Sequence, residues 1–216
     1  MFVHHFGIMC RIGITNENRF IKMAHIAEAA GRYADMVEYV KMLLCAKRER
    51  SDYISLTNEE RMLLTIAYKS ISSEKRKTLR ALFSSLYQKD LVDVSDYQLI
   101  IDEINEFIEK VKKELFFVCE EVIQICENLI ANPTICTEDK VYYFKLMGDY
   151  YRYIAEFSNT NEEKESVTGK ASQCYEKATE TAISGKLSHS SACMLGLALN
   201  QSVFYYEIVG DVKKVH

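Results

Sequence analysis

The hydrophobic positions of this chain recur every three or four residues, which is the period of an α-helix with one buried face. From Met23 to Leu44 the apolar side chains keep this spacing, in two helices or in one helix bent at Gly31. The charged residues 47–55 and the polar residues 90–97 predict loops. Further apolar stripes predict helices over approximately 57–88, 100–129, 138–157, 164–184 and 190–209.

The predicted helices carry residues typical of helix boundaries. Thr57 precedes Glu59–Glu60, the order of an N-terminal cap followed by an acidic first turn. Ser72–Ser73 is the place where this helix would bend. Pro133 disfavours helical backbone at the residue before it, and Gly210 follows the last stripe, where helices commonly end.

Turn-forming residues are scarce in this chain. Its 216 residues include 8 Gly and 1 Pro, whereas average usage of about 7% and about 5% would give roughly 26. Because a β-sandwich or β-barrel needs a turn about every 8–12 residues, an all-β fold is excluded. We therefore expect an all-α fold, an antiparallel array of long helices.

Charge and hydropathy exclude two classes of partner. The formal net charge is −4 and the pI is near 5.8, whereas nucleic-acid-binding domains are usually basic, so we expect no nucleic-acid partner. No stretch reaches the approximately 18 apolar residues of a membrane-spanning helix, so we expect no membrane partner.

Seven cysteines are scattered along the chain without a C-x-x-C pair. We interpret them as reduced thiols of a cytosolic protein, with a disulfide framework or a zinc site as the alternatives. His4, His5 and Cys10 could bind a metal together, but adjacent histidines point in different directions. We therefore predict neither a metal site nor a cofactor.

Two predicted helices each carry a basic pair spaced by seven residues, Lys69 with Arg76 and Lys145 with Arg152. Seven residues are almost two helical turns, so each pair lies on one face. Arg152 precedes Tyr153 in a segment too aromatic for a wholly solvated surface. If the helices pack side by side, these side chains could bind one phosphate dianion. From spacing alone, ordinary surface ion pairs are the alternative.

Three segments resemble motifs of the 14-3-3 family. Residues 57–69 have the sequence T-N-E-E-R-M-L-L-T-I-A-Y-K, similar to the family's N-E-E-R-N-L-L-S-V-A-Y-K. Residues 143–156 have the sequence Y-F-K-L-M-G-D-Y-Y-R-Y-I-A-E, similar to Y-L-K-M-K-G-D-Y-Y-R-Y-L-A-E. Residues 195–208 have the sequence L-G-L-A-L-N-Q-S-V-F-Y-Y-E-I, similar to L-G-L-A-L-N-F-S-V-F-Y-Y-E-I. The resemblance covers residues 23–216 as one helical domain and leaves residues 1–22 as an N-terminal extension that could be flexible, with a targeting segment as the alternative.

The resemblance implies an all-helical fold that dimerises and binds phosphoserine or phosphothreonine segments in an amphipathic groove. The implied phosphate-binding residues are Lys69, Arg76, Arg152 and Tyr153, with Lys145 beside them.

The resemblance also assigns the groove beyond the phosphate. Asn200 matches an amide that holds the peptide backbone, and Glu207 matches a groove carboxylate. Leu199 and Val203 match its apolar wall. From the residues alone, Asn200 could equally be a buried amide satisfied by neighbouring helices, and Glu207 a carboxylate at the edge of the core.

A dimer interface on two helical regions is likewise implied. Opposite charges three or four residues apart could pair across a two-fold axis, with apolar side chains between them. From the residues alone, these charges could also be solvated helix faces. The matching positions are Ile26, Ala30, Arg32, Asp35, Phe107, Lys110 and Glu114.

Several positions depart from the family's pattern. The family's R-R-S-S-W-R becomes K-R-K-T-L-R at residues 75–80, Met147 stands where a lysine is usual, and Met194 where an arginine is usual. We therefore expect a groove less basic than is typical. The sequence given ends at residue 216, before the two further helices of the family's pattern, so we expect the groove wall that they supply in the family to be absent from it.

Together, the residues and the resemblance favour a phosphoserine- or phosphothreonine-peptide-binding adaptor that regulates client proteins in signalling, as a homodimer or as a heterodimer with a paralogue. Because of Met147 and Met194, a phosphate-independent helical scaffold with a degenerate groove is the alternative. An enzyme is the least favoured class, since no Ser/His/Asp set, Cys/His pairing or Gly-rich phosphate loop is evident. We expect a cytoplasmic location, with the nucleus as a second candidate compartment.

Overall fold

The computed structural model describes residues 17–86, 97–188 and 191–210. Within these ranges all regular secondary structure is helical, so the predicted all-α class is confirmed. The helices are α1 (Glu17–Ala29), α2 (Tyr33–Arg50), α3 (Asn58–Leu86), α4 (Tyr97–Ile130), α5 (Thr137–Glu156), α6 (Asn161–Ser184) and α7 (Ala192–Phe204), which continues as a π-helical turn, Tyr205–Val209. Residues 1–16, with His4, His5 and Cys10, and residues 87–96, which include all but the last residue of the second predicted loop, lie outside the described part.

The first two helices differ from the prediction at their ends. Gly31, with a φ of +67°, separates α1 from α2, so the stripe from Met23 to Leu44 forms two helices. Helix α1 begins six residues before Met23, and α2 continues to Arg50, so the loop predicted from residue 47 is wrong for its first four residues.

Helix α3 runs through Ser72–Ser73 without a break, so the bend predicted there is not an interruption of the helix. Ser72 is fully buried, and its hydroxyl donates a hydrogen bond to the Lys69 carbonyl oxygen at 3.2 Å. The Ser72 hydroxyl thus has a hydrogen-bond partner within the helix, so the helix can continue through this residue.

Side chains cap the N-termini of α3, α5, α6 and α7. The backbone N–H of Thr57 donates to Glu60 Oε2 at 2.8 Å, and the N–H of Glu60 donates to Thr57 Oγ1 at 3.3 Å. This reciprocal pair is a capping box, as the sequence predicts. Cys136, Thr160 and Ser191 cap α5, α6 and α7 by accepting a hydrogen bond from the N–H three residues later.

The chain divides into two compact units, residues 1–74 and residues 75–216. In the first unit, α1 packs on α2, and Lys47 Nζ on α2 lies 2.9 Å from the buried carboxylate of Glu60 on α3. The buried apolar residues of this unit are Ala24, Ala27, Met36, Val37, Val40, Leu43, Leu44, Ile54, Leu63, Leu64, Ala67 and Tyr68.

In the second unit, α5 is the central helix and packs against α4, α6 and α7. The connection from α5 to α6 is short, residues 157–160, which makes these helices antiparallel neighbours. The ring of Tyr175 on α6 approaches α5 at Gly148 so closely that a Cβ there would lie 2.9 Å from it. Glycine at position 148 therefore lets Tyr175 reach the residue that follows it, Asp149.

The described helices include none long and apolar enough to cross a membrane. In the same residues, no group of three or more His, Cys, Asp and Glu is placed to hold a metal ion. The described cysteines are free thiols. Burial raises the pKa of Cys119 and Cys126, and raises that of Cys174 to about 11, so these thiols are protonated at neutral pH.

Candidate functional site

Helix α5 brings four polar side chains, Lys145, Asp149, Arg152 and Tyr153, onto one face. Their spacings of four, three and one residues place them within little more than two helical turns. Asp149 and Arg152 are only 4% and 7% exposed. Because a buried charge without a partner is costly, these groups need partners. The partners come from α3, α6, α7 and the π-helical turn.

The ring of Tyr153 contacts two guanidinium groups. Cζ of Arg76, on the C-terminal part of α3, lies 4.0 Å from the ring centroid, and Cζ of Arg152 lies 4.9 Å from it. The attraction of each cation to the negative face of the ring partly offsets the repulsion between the two charges. Burial raises the pKa of Tyr153, and Asp149 adds to this effect. The phenol therefore keeps its proton and can donate a hydrogen bond.

A carboxylate at the end of α5 orients Arg76. Nε and Nη2 of Arg76 donate to Glu156 Oε2 at 2.9 and 2.7 Å. The other oxygen of Glu156 accepts a hydrogen bond from Nε of Arg80 at 2.6 Å. The Glu156 carboxylate thus accepts hydrogen bonds from two arginines, so Arg76, Arg80 and Glu156 together keep a net positive charge.

Arg152 is the most deeply buried arginine of the cluster, and its partners are distant. Nη1 donates to Glu207 Oε2 at 3.4 Å, and Nη2 lies 3.8 Å from Asp149 Oδ1. Nε is buried and has no hydrogen-bond partner among the described residues. Burial alone would lower the pKa of this guanidinium, but Tyr175 and Asp149 raise it above its usual value. The side chain is therefore a charged donor with unused hydrogen-bonding capacity.

The carboxylate of Asp149 joins three helices. It accepts hydrogen bonds from the Tyr175 hydroxyl at 2.7 Å, from Lys145 Nζ at 3.0 Å, and from Asn200 Nδ2 at 2.7 and 2.9 Å. Burial opposes the charge of Lys145, but Asp149 raises its pKa. Burial, together with this carboxylate, raises the pKa of Tyr175. Both groups therefore remain protonated donors to Asp149.

The cluster has an excess of positive charge. Its cationic side chains outnumber its carboxylates by one, and the two tyrosines are neutral. An incoming anion would therefore find donors and a favourable potential. The cations are Arg76, Arg80, Lys145 and Arg152, and the carboxylates are Asp149, Glu156 and Glu207.

An apolar stripe lies beside this cluster on α7. Leu195 and Leu199 are 60% and 63% exposed, and Val203, one turn later, is partly exposed. Residues four apart on a helix are neighbours, so these side chains form a continuous strip. Asn200 and Glu207 lie on the same helical segment. Exposed apolar surface of this kind is typical of an interaction site.

Most of the predicted site residues meet in this one region. The structure connects Arg76, Arg152 and Tyr153 directly, and links Lys145 and Asn200 through Asp149, while Glu207 contacts Arg152. Leu199 and Val203 flank Asn200 along α7.

Lys69 belongs to the first unit, residues 1–74, whereas the cluster lies in the second unit. It lies two helical turns before Arg76 on α3, and its side chain is exposed. Its assignment to the same site stays a prediction.

Sequence reasoning missed four members of the cluster, Arg80, Asp149, Glu156 and Tyr175. Two of them carry a signal in the sequence. Asp149 lies four residues after Lys145 and three before Arg152, and Glu156 lies four after Arg152, the spacings of ion pairs on a helix. Tyr175 has no such signal, since its contact depends on the packing of α6 on α5.

The residues of the predicted dimer interface lie on the surface of their respective units. In the first unit, Arg32 and Asp35 pair with each other. In the second, Lys75 Nζ lies 2.6 Å from Glu114 Oε2. A role of these charges in pairing across a dimer stays a prediction. The exposed positions of the predicted interface are Ile26, Ala30, Arg32, Phe107, Lys110 and Glu114, and Asp35 is partly exposed.

Comparisons with known proteins agree with the helical architecture. A family model described as 14-3-3 protein matches residues 23–216. The chain is similar to "14-3-3 protein 2" of Entamoeba histolytica, with 35% identity across 93% of this chain and 79% of that protein. It is 38% identical to "14-3-3 protein 3" of the same organism, across 89% of this chain and 75% of that protein. It is 35% identical to "Checkpoint signal transducer rad24" of Schizosaccharomyces pombe, across 91% and 69% of the two chains.

Proposed function

Because the chain belongs to the 14-3-3 family, we propose that it is an adaptor that binds phosphoserine and phosphothreonine segments of client proteins. Membership of the family supports a phosphopeptide-binding adaptor role in general. The observation that carries the proposal for this chain is the buried Arg152, charged and with an unpaired Nε, stacked with Arg76 on the ring of Tyr153.

The chemistry of a phosphate monoester fits this cluster. At neutral pH the group carries a charge of about −1.5 to −2 and three strong acceptor oxygens. Arg152 offers an unused donor, Tyr153 a phenolic hydroxyl, and Arg76 a guanidinium already oriented by Glu156. The long contact from Arg152 to Glu207 is the one that an incoming phosphate would replace.

The peptide on either side of the phosphate would lie along α7. Its apolar side chains would pack on Leu199 and Val203, while Asn200 would bind its main chain. Glu207 would face the peptide after its release from Arg152. The full proposed set is Lys69, Arg76, Lys145, Arg152, Tyr153, Leu199, Asn200, Val203 and Glu207.

Titration of a fluorescent peptide tests this function. A phosphorylated arginine-rich peptide is expected to bind at least about tenfold more tightly than its unphosphorylated form, because charge-assisted hydrogen bonds are among the strong ones. Arg152→Lys keeps the charge but loses the planar fork, so it serves as the matched variant and should weaken only the phosphorylated peptide. Equal affinities for the two peptides would refute the proposal.

A phosphate-independent scaffold is the second candidate, and one observation favours it. Arg76 and Arg152 already contact the carboxylates of Glu156 and Glu207, so the cluster is held together without phosphate. In that case both peptides bind alike, and Arg152→Ala changes partner binding little.

We also propose that the chain acts as a dimer, with itself or with a paralogue. The half-exposed side chains of Ile26 and Phe107 would form its apolar part, together with Ala30. Sedimentation should show a monomer for Phe107→Glu, whereas Leu195→Glu, which places the same charge at an exposed apolar position outside this interface, should leave the dimer intact. An unchanged dimer in Phe107→Glu would contradict the assignment.

The remaining proposals concern class and location. We propose an adaptor rather than an enzyme, acting in the cytoplasm or the nucleus on phosphorylated proteins rather than on nucleic acid or membranes. The cluster is suited to binding, because Arg152 keeps an unused donor and the residues that form the cluster include no serine, cysteine or histidine.

A further inference from the structure

The side-chain amide of Asn200 is bound to Asp149 through its nitrogen. Its Nδ2 lies 2.7 Å and 2.9 Å from the two oxygens of the Asp149 carboxylate. Because an ionised carboxylate can only accept hydrogen bonds, this contact requires the amide nitrogen to face Asp149. The carbonyl oxygen Oδ1 must then point away, and it has no hydrogen-bond partner among the described residues.

The carboxylate that holds this amide is itself immobilised. Asp149 is 4% exposed and accepts hydrogen bonds from Tyr175 on α6 and from Lys145 on α5. Rotation of the carboxylate would break bonds to two helices at once, and Gly148 keeps Tyr175 pressed against α5. The orientation of the carboxylate is therefore imposed on Asn200.

Asn200, the residue that carries this free oxygen, connects the arginine cluster to the apolar stripe. Asn200 is partly buried and immediately follows Leu199, which is 63% exposed on the apolar stripe of α7. It is joined to the arginine cluster through Asp149, which lies 3.8 Å from Arg152. A ligand that contacts both the arginines and the stripe must pass this acceptor. Among ligand groups, the backbone N–H of an extended peptide supplies the matching donor.

We propose that Asp149 is a positioning residue for peptide recognition: it holds the nitrogen of Asn200 and so turns Oδ1 outward to accept a hydrogen bond from a backbone N–H of the bound segment. This inference rests on the proposed function. It adds to the proposed contact of Asn200 with the peptide main chain that the orientation of this amide depends on the Asp149 carboxylate, which itself would contact neither the main chain nor the phosphate.

The variant Asp149→Asn separates this positioning role from two simpler roles, one through charge alone and one through stabilisation of the fold alone. The change keeps the shape of the side chain but allows the Asn200 amide to rotate by half a turn. Affinity for the phosphopeptide should fall about tenfold, the value of one hydrogen bond at its upper range. Binding of free O-phosphoserine, measured by NMR titration, should stay the same or tighten, because the cluster loses a negative charge.

Other patterns overturn the inference. If Asp149 acted only through its charge, both ligands would bind more tightly. If it acted only by stabilising the fold, both would bind more weakly. Glu176→Gln is the matched control, because it removes one negative charge from the exposed surface of α6 and leaves the contact between Asp149 and Asn200 in place. Its affinity for the phosphopeptide should stay within about twofold of that of the unmutated chain.

A double-mutant cycle completes the test. In the Asn200→Ala background, Asp149→Asn should weaken phosphopeptide binding no further, whereas additive losses would overturn the inference alone. Equal binding of phosphorylated and unphosphorylated peptides by the unmutated chain would instead refute the proposed function, and this inference with it.

A measurement on the unmutated chain does not depend on the folding of a variant. The side-chain NH₂ protons of Asn200, identified by the loss of their signals in Asn200→Ala, should exchange with solvent more slowly than those of the exposed Asn105. Exchange as fast as that of Asn105 would overturn the inference.

Discussion

The ring of Tyr153 lies beneath the guanidinium of Arg76, with 4.0 Å between the ring centroid and Cζ. Arg152, the residue before Tyr153, lies 4.9 Å from the same ring. The aromatic side chain is therefore the element that allows two arginines to share one small region. Without a bound anion, these arginines depend on this ring and on the carboxylates of Glu156 and Glu207.

Replacing Tyr153 tests which part of this side chain, the ring or the hydroxyl, contributes to phosphopeptide affinity. In Tyr153→Phe the ring remains and only the hydroxyl is lost, so phosphopeptide affinity should fall by about 1 kcal/mol. In Tyr153→Leu the contacts to both cations are also lost, each worth up to about 2 kcal/mol when desolvated, so the loss should be clearly larger. Peptide titration of both variants provides the measurement. Equal losses would show that stacking with the arginines has no role in binding.

Glu207 accepts a hydrogen bond from Arg152 Nη1 at 3.4 Å, so under the proposed function it would compete with phosphate for this arginine. Glu207→Gln removes that competition, so a phosphopeptide without basic residues should bind about two- to fivefold more tightly, the range expected for a partly exposed ion pair. The unphosphorylated peptide should be unaffected. Glu176→Gln, on the exposed surface of α6, is the control for loss of one negative charge. Weaker phosphopeptide binding in Glu207→Gln would indicate that this carboxylate supports the site.

The contact between Gly148 and Tyr175 predicts an unusual effect of alanine in a helix. Alanine normally stabilises a helix by about 1 kcal/mol relative to glycine. At position 148 the added Cβ would lie 2.9 Å from the buried ring of Tyr175, so overpacking of about 1–3 kcal/mol should outweigh that gain. At Gly169 on α6 nothing lies within 4 Å, so Gly169→Ala should stabilise.

Urea unfolding of the two variants measures this difference. Gly148→Ala should have a lower midpoint than the unmutated chain, and Gly169→Ala a higher one. A midpoint for Gly148→Ala equal to or above that of Gly169→Ala would mean that α6 yields to the extra methyl group at little cost.

His25 gives the first unit a pH-dependent ion pair. Its Nε2 lies 2.9 Å from Glu59 Oε1, and its pKa is raised chiefly by this hydrogen bond, with burial opposing and Glu28 contributing further. Since the folded-state pKa lies above the unfolded value of 6.5, the stabilisation is complete below pH 6.5 and is lost as the pH rises through the folded-state pKa.

Unfolding midpoints of the unmutated chain and of His25→Gln, compared between about pH 5 and pH 9, test this ion pair. The unmutated chain should be more stable at the acidic end, and the difference should shrink toward alkaline pH. The effect should be small, because both side chains are about half exposed and screened by solvent. A difference that grows with pH would contradict the assignment.

Local sequence accounts for the helices wherever the deciding contacts are local. The capping pair of Thr57 and Glu60 and the left-handed Gly210 at the end of the last segment are contacts over a few residues, and both occur as predicted. The end of α2 was missed for the opposite reason. Arg50 donates to Glu17 at 2.6 Å, a partner 33 residues away, which favours helix where the composition predicts a loop.

In the candidate site, too, the features that depend on neighbouring residues could be predicted from the sequence, and those that depend on distant residues could not. The spacing of Lys145 and Arg152 and the resemblance both point to α5, and the structure places Arg152 beside Arg76 and Tyr153. The buried phenol of Tyr175 could not be derived from spacing, and the spacing of Asp149 indicates its ion pairs but not its burial or its contact to Asn200. Their roles depend on burial, which converts a common helix-surface pairing into a network with a fixed geometry.

By itself, the sequence determined the helical class, most helix positions and the family, and it indicated Arg76, Lys145 and Arg152 as basic residues of the candidate cluster, because hydrophobic period, caps and motifs are properties of neighbouring residues. Only the tertiary structure decided which charges meet. Arg76 and Glu156 are 80 residues apart in the chain and 2.7 Å apart in space, and the amide of Asn200 is oriented by a carboxylate 51 residues before it. Such contacts follow from how the helices pack, and each depends on the positions of all the others.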